Sequence, residues 1–342
     1  MRKYLYNLAT DGKNGVIAGV CKFLLFLLSL VYGFIIRCLS AVQLANPKQL
    51  GMKIISVGNI TLGGTGKTVL VEYLVRYLRQ KNILTAVVSR GFKGADEPDM
   101  LRLKLKDTPV IVDKDRARGA QKAAADYGAR AVIFDDGFQQ WKIKKDLDIV
   151  MIDATNPFGN QHMLPRGILR EPLSSLKRAG AFVLSKTNLN PNIEDIEEFL
   201  LDINKDALIV ESTHRPVDLA GLGNEDNRLS LGVLKGKPVS LFCGIGDPGS
   251  FEAITRESGA VVAAFFTFPD HHTYSQKDLE DVIRQSENKN AEFILTTEKD
   301  AARINSSQLK ISSSKIFSLR IELEITKNEE GFHSRLLRSC GL

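Results

Sequence analysis

Short, wholly apolar runs separated by amphipathic stretches and glycine turns set the pattern of this chain. Residues 131–134, 149–152 and 182–184 are such runs, and 53–57 and 84–89 read as further strands. Helical periodicity lies between them, as in 116–127 and 193–201. That alternation predicts parallel strands covered on both faces by helices. Over 219–237 the apolar pattern thins into Gly, Asn, Asp and Lys, which reads as a seam. Beyond it, 239–243, 251–257, 261–266, 279–284 and 293–297 repeat the strand–helix alternation on a smaller scale. The expected architecture is α/β: a doubly wound parallel sheet over 46–222 and a smaller C-terminal α/β domain over 223–342. No internal repeat or low-complexity segment interrupts it.

The N-terminal 45 residues follow another rule. An apolar run over 23–36 lies between Lys22 and Arg37. As a helix it measures about 20 Å, short of the roughly 30 Å hydrocarbon core of a bilayer. Extending it back to Gly15 gives enough length but places Lys22 in the middle, a costly position. No small-residue cleavage site follows, which disfavours a signal peptide. A core helix of the globular part is one alternative. The favoured reading is a monotopic or peripheral helix on the cytoplasmic face of a membrane. Arg2, Lys3, Lys13, Lys22, Arg37 and Lys48 would hold it at the anionic surface.

The first strand of the core runs into Thr61, Leu62, Gly63, Gly64, Thr65, Gly66, Lys67 and Thr68. A strand, a glycine-rich turn and then a helix form a triphosphate cradle. Glycines let backbone N–H groups wrap the phosphates, and the helix N-terminus adds its positive dipole end. Lysine reaches the outer phosphates, and the Thr hydroxyl can sit on Mg²⁺. The usual motif has glycine where this chain has Thr61. The run 131–134 ends in Asp135 and Asp136, where nucleotide enzymes hold Mg²⁺. A rival strand ends in Asp153 and offers one acid rather than two.

Net charge is +6, which suits an acidic partner. The four cysteines are scattered without paired spacing, so neither a zinc site nor a disulfide framework is expected. No basic run interleaved with aromatics supports nucleic-acid binding. A nucleotide-dependent switch is the main rival to an enzyme. Partitioning-type ATPases need lysine where Leu62 stands, and GTPases need a final Asp where Ser185-Lys186-Thr187-Asn188 ends in Asn.

Further segments complete an ordered series. They are Ser56-Val57-Gly58-Asn59, Ser89-Arg90-Gly91-Phe92, Asp96-Glu97-Pro98 and Asp135-Asp136-Gly137-Phe138-Gln139. Leu169-Arg170-Glu171-Pro172, Phe268-Pro269-Asp270-His271 and Thr296-Thr297-Glu298-Lys299-Asp300-Ala301 follow. With the glycine loop, this series resembles the tetraacyldisaccharide 4'-kinases, over almost the whole chain. The family carries its loop glycines at Gly63 and Gly64, which accounts for Thr61. Gln140, Ala95, Arg166 and Ile168 depart from its pattern. The resemblance implies transfer of the ATP γ-phosphoryl group to the 4'-hydroxyl of a tetraacylated glucosamine disaccharide 1-phosphate in lipid A biosynthesis. It also implies Asp96 as base with His271 beside it, and Lys67 with the loop amides on the phosphates. Thr68, Asp136 and Glu171, with Asp135 nearby, would gather Mg²⁺, while Arg170 neutralises the transferring group. The implied partners are the acylated lipid and the membrane surface, with no nucleic acid and no obligate protein partner.

Overall fold

The computed structural model describes residues 8, 10–91, 96–304 and 315–342. They cluster in two compact units. The first comprises Met1–Arg90, Thr108–Thr213 and Ile325–Leu342; the second comprises Gly91–Asp107 and His214–Glu324. In chain order the elements begin with helix α1 (Val16–Ala45), strand β1 (Lys53–Gly58), α2 (Lys67–Gln80) and β2 (Thr85–Ser89). Then come α3 (Asp96–Lys104), β3 (Val110–Val112), α4 (Arg116–Tyr127), β4 (Ala131–Asp135) and β5 (Leu147–Asp153). β6 (Ala181–Ser185), α5 (Ile193–Ile203), β7 (Leu208–Gly221), β8 (Asn224–Ser230) and β9 (Pro238–Cys243) follow. The chain closes with α6 (Pro248–Glu257), β10 (Val261–Thr267), α7 (Gln276–Asn288), β11 (Phe293–Thr297) and α8 (Glu298–Ala301). β12 (Ile316–Lys327) and α9 (Glu329–Ser339) come last.

The first unit's strands run β7-β6-β5-β1-β4-β2-β3, all in parallel. β1 lies between β4 and β5, and every residue of β4 is buried. One face packs around Phe138, Val150, Phe182 and Leu200, the other around Val88, Ala120 and Phe134. The apolar runs are continuous because both faces are covered. Gly58 ends β1 where Phe138 presses against it: a Cβ there would stand 2.5 Å from the Phe138 Cβ and 2.7 Å from its backbone N. That approach seats the turn after β4 directly against the phosphate loop's strand.

The second unit orders β10-β9-β11-β12 beside the later residues of β7, with β8 antiparallel to β7. The expected seam at 219–237 is therefore a hairpin followed by a 3-10 turn at Leu231–Leu234. Its polar composition belongs to an edge strand whose described side chains are mostly exposed, not to a linker. β12 and α9 were not anticipated from the sequence.

α1 exceeds the apolar run read from the sequence. It spans 30 residues, about 45 Å at helical rise, because the polar residues flanking 23–36 are good enough helix formers to continue it. Among the described residues it is the one helix long and apolar enough to cross a membrane. Phe23, Leu24, Val31 and Phe34 on it are exposed. One stripe touches the rest of the first unit. Lys22 pairs with Asp11 at 2.7 Å, and Phe26 meets the edge of His162. Tyr32 donates to the Arg170 carbonyl at 3.0 Å. The charge of Lys22 is thus compensated by a neighbouring carboxylate.

Candidate active site

The phosphate loop is shaped by two glycines in backbone conformations that a side chain disfavours: φ is 131° at Gly63 and 88° at Gly66. Gly66 stands at the N-cap, so α2 opens on Lys67 and Thr68. Residues 168–170 run alongside the loop. Leu62 N donates to Ile168 O at 2.8 Å, and Arg170 N to Ile60 O at 2.6 Å. This pairing sets Arg170 beside the loop. Asn59, fully buried, ties the two segments together. Its amide donates to Thr61 O at 2.8 Å, and its Oδ1 accepts from Lys67 Nζ at 3.1 Å and Arg170 Nη1 at 3.3 Å. Thr61, Thr65 and Thr68 are buried, whereas Leu62 is exposed. Ser185 Oγ donates to Thr65 O at 3.0 Å and braces the loop from β6.

Asp136 sits at a φ of 53° just past β4. Arg170 grips its carboxylate with two parallel bonds of 2.8 and 3.1 Å, and Lys67 Nζ stands 3.8 Å away. Burial alone would raise the Asp136 pKa. The charges of Lys67, Arg170 and Arg116 outweigh it and hold the carboxyl below its ordinary 3.8. Asp135 is turned inward, 2% exposed, and accepts from Ser89 Oγ at 3.1 Å.

Arg116 is the residue the sequence concealed. It opens α4, which the sequence marks only as helical, and it is 2% exposed. Nη2 donates to Asp135 O at 2.5 Å, while Nε and Nη1 have no hydrogen-bond partner among the described residues. Burial, against the pull of Asp135 and Asp136, lowers its pKa to about 10, so it remains a cation. A cavity of about 280 Å³ opens here, with Arg90, Arg116, Arg170, Asp136, Tyr32 and Trp141 in its wall. Three guanidiniums against one carboxylate, one of them carrying unused buried donors, make a receptor for an anion.

Glu171, expected beside a metal, is fully buried next to Arg170. Gln139 Nε2 donates to its Oε1 at 3.0 Å and Arg178 Nη2 to its Oε2 at 2.9 Å. Gln139 also donates to Asn59 O at 3.0 Å, so the wall behind the loop is cross-tied. No group of three or more His, Cys, Asp or Glu side chains stands at metal-binding spacing among the described residues. Mg²⁺ needs no such cage. One or two hard oxygen ligands suffice when phosphate oxygens and waters complete the octahedron. The Thr68 hydroxyl and the ionised Asp136 carboxylate are donors of that kind.

In the second unit, Asp96 opens α3, but its side chain lies outside the described residues, as do Arg2, Lys3, Phe92 and Ala95. α3 is fastened to α8 by Lys104 Nζ on Glu298 at 2.8 Å. His271 takes a φ of 60° and donates its backbone N–H to Gly244 O at 3.1 Å. The Asp270 carboxylate lies 3.9 Å from its Nε2.

The family model for LpxK, tetraacyldisaccharide-1-P 4'-kinase, matches residues 21–341. A tetraacyldisaccharide 4'-kinase of Halothermothrix orenii is 35% identical, covering 91% of this chain and 90% of its own. One from Elusimicrobium minutum is 33% identical over 81% of this chain and 80% of its own. Among solved structures, LpxK from Aquifex aeolicus in complex with ATP aligns with a TM-score of 0.74 and 26% identity. That alignment covers 93% of this chain and 99% of the other.

Proposed function

Because the chain belongs to the tetraacyldisaccharide-1-P 4'-kinase family, we propose that it moves the γ-phosphoryl group of ATP onto the 4'-hydroxyl of a tetraacylated glucosamine disaccharide 1-phosphate. The arrangement that carries this reading is the cationic cavity at the phosphate loop, where Lys67, Arg116 and Arg170 surround Asp136. Phosphoryl transfer asks the protein mainly for positioning and charge neutralisation. Lys67 and the amides of Gly64 to Thr68 hold the β- and γ-phosphates. Arg170 and the unused donors of Arg116 meet the equatorial oxygens of the transferring group. Thr68 and Asp136 would hold Mg²⁺, which would supply charge neutralisation at the phosphates. Asp135 and Glu171 stand behind these groups and keep Ser89, Gln139 and Arg178 in place.

The acceptor oxygen forms its bond to Pγ as the bond from Pγ to the β–γ bridging oxygen breaks, and ADP leaves. Asp96 takes the hydroxyl proton, with His271 oriented against it. A sugar hydroxyl needs that help at neutral pH, because it is a weak nucleophile.

α1 lies along the cytoplasmic leaflet rather than across the bilayer. Its contacts with the first unit run from Lys22 to Tyr32, which a perpendicular crossing would strip away. The exposed Phe23, Leu24, Val31 and Phe34 then enter lipid while the cavity opens beside Tyr32 and Ile36. The lipid acceptor reaches the cavity without leaving the membrane surface. Incubating purified protein with radiolabelled ATP, Mg²⁺ and detergent-dispersed disaccharide 1-phosphate tests the reaction. Labelled lipid is the expected product. ATP hydrolysis without labelled lipid would overturn the kinase reading in favour of a switch.

A further inference from the structure

Lys145 carries a charge that the chemistry above does not use. It stands in the segment joining β4 to β5, which is pinned on either side of it. Lys144 N donates to Lys48 O at 3.0 Å, and Asp146 N to Ile54 O at 2.8 Å. Lys142 and Lys144 are exposed, whereas the Lys145 side chain turns inward and is 5% exposed. An ammonium group has three donors. Three acceptors surround this one: Asp148 Oδ2 at 2.9 Å, Phe138 O at 3.1 Å and Gly137 O at 3.4 Å. Asp148, a residue of β5, supplies the counter-charge that a cation at this depth requires.

The two carbonyls belong to the turn that carries Asp136. Asp136 holds a φ of 53°, a left-handed conformation that a residue with a side chain keeps only when its surroundings enforce it. Gly137 N donates to Val57 O at 2.9 Å, which ties the amide side of the turn to β1. Lys145 ties the carbonyl side to β5 through Asp148. The Phe138 ring is held as well, with Lys145 Nζ 5.6 Å and the Arg178 guanidinium 4.3 Å from its centroid. Two strands therefore fasten the turn, and the Asp136 carboxylate is left where Arg170 grips it.

We infer that Lys145, neutralised by Asp148, is a positioning residue whose three hydrogen bonds hold the turn after β4 so that Asp136 faces Arg170 and Lys67. This inference rests on the reading of Asp136 given above. Lys145 acts through the backbone alone, since it lies behind the cavity wall rather than in it. Without the ammonium, both carbonyls lose a charged donor and nothing on that side enforces the left-handed turn. A carboxylate held by two parallel bonds tolerates little displacement, and a shift of about 1 Å at a reacting site can cost about 100-fold in rate.

The test uses full-length protein in detergent and separates positioning from stability. Lys145→Met leaves Asp148 buried without its counter-charge and should melt lower. Lys145→Met/Asp148→Asn removes both charges and should recover most of that melting temperature. Its kcat should nevertheless stay about 10–100-fold below wild type, with the KM for ATP unchanged. Lys145→Arg, which keeps a charged donor, should recover part of the turnover. Trp141, the single tryptophan, lies between the turn and Lys145 and lines the cavity with Asp136. Acrylamide should quench its fluorescence more strongly in the double variant than in wild type. A double variant with wild-type turnover or wild-type quenching overturns the inference. Acetylation of the folded wild-type protein, read by mass spectrometry, should modify Lys142 and Lys144 and spare Lys145. Equal labelling of all three overturns the inference whether or not any variant folds. Near-normal turnover in Asp136→Asn would instead sink the reading of Asp136, a failure that the labelling and quenching measurements do not share.

Discussion

Two glycines, six residues apart, should separate a requirement of the fold from a requirement of the ligand. An alanine methyl at Gly58 would meet the Phe138 Cβ at 2.5 Å and its backbone N at 2.7 Å. Non-bonded carbon contacts prefer about 3.5–4 Å, so the overlap is about 1 Å. Relief requires moving the turn that carries Asp136, and overpacking of this kind costs about 1–3 kcal/mol. At Gly64 nothing lies within 4 Å of the added Cβ. Gly64→Ala should therefore leave stability unchanged, or raise it by up to about 1 kcal/mol through the unfolded chain. Its cost falls on the phosphate, because the methyl occupies the space through which loop amides reach the nucleotide. Thermal unfolding with and without Mg²⁺-ATP reads both effects. At ATP one hundred times above Kd, the wild-type protein gains about 2.7 kcal/mol. Gly58→Ala should melt lower in the absence of ATP. Gly64→Ala should melt normally and lose the ATP-dependent rise. A Gly64→Ala protein that retains the rise would refute the assignment of the loop as the phosphate cradle.

Arg116→Met should lower kcat by about 10²–10³-fold, the scale of one lost electrostatic donor, measured as labelled lipid per unit time. Half-buried His333 stacks on Tyr77 and lies 2.7 Å from the Tyr73 hydroxyl. Burial lowers its pKa below 6.5, so the unfolded chain binds the proton first as pH falls. Stability should drop as pH descends through 6.5, and His333→Gln should flatten that slope in urea titrations at pH 7.5 and 5.5. Phe34→Asp on the exposed face of α1 should weaken partitioning to anionic vesicles by about tenfold or more, the value of one large apolar side chain. Unchanged flotation with those vesicles would argue against lipid contact on that face.

The phosphate loop was legible because glycines at those positions have a ligand-imposed reason. The position of Asp136 beside that loop was legible because β4 pairs with β1 and ends in the two acids, whereas the inward turn of Asp135 onto Ser89 was not. Arg116 was not, since local sequence cannot tell a basic helix start on the surface from one tucked beneath β4. Asn59 stood in the ordered series without a role, and its side-chain oxygen joins Lys67 to Arg170. Tyr32 was hidden inside an apolar run, where its hydroxyl carried no periodic signal. The polar strand β8 was misread as a seam because an edge strand and a linker share a composition. α1 was underestimated because the cost of placing Lys22 was counted without its partner, Asp11.

The first unit takes its last piece from the chain's final stretch. Phe332 and Leu336 of α9 are fully buried, and Asn328 bonds back to Ile209 O at 2.7 Å. During synthesis, α1 emerges before the segment that completes the unit carrying the phosphate loop. On the membrane reading proposed above, the nascent polypeptide would meet the bilayer well before its nucleotide-binding body is finished. Premature termination within those closing residues would leave a tethered but incomplete enzyme at the membrane.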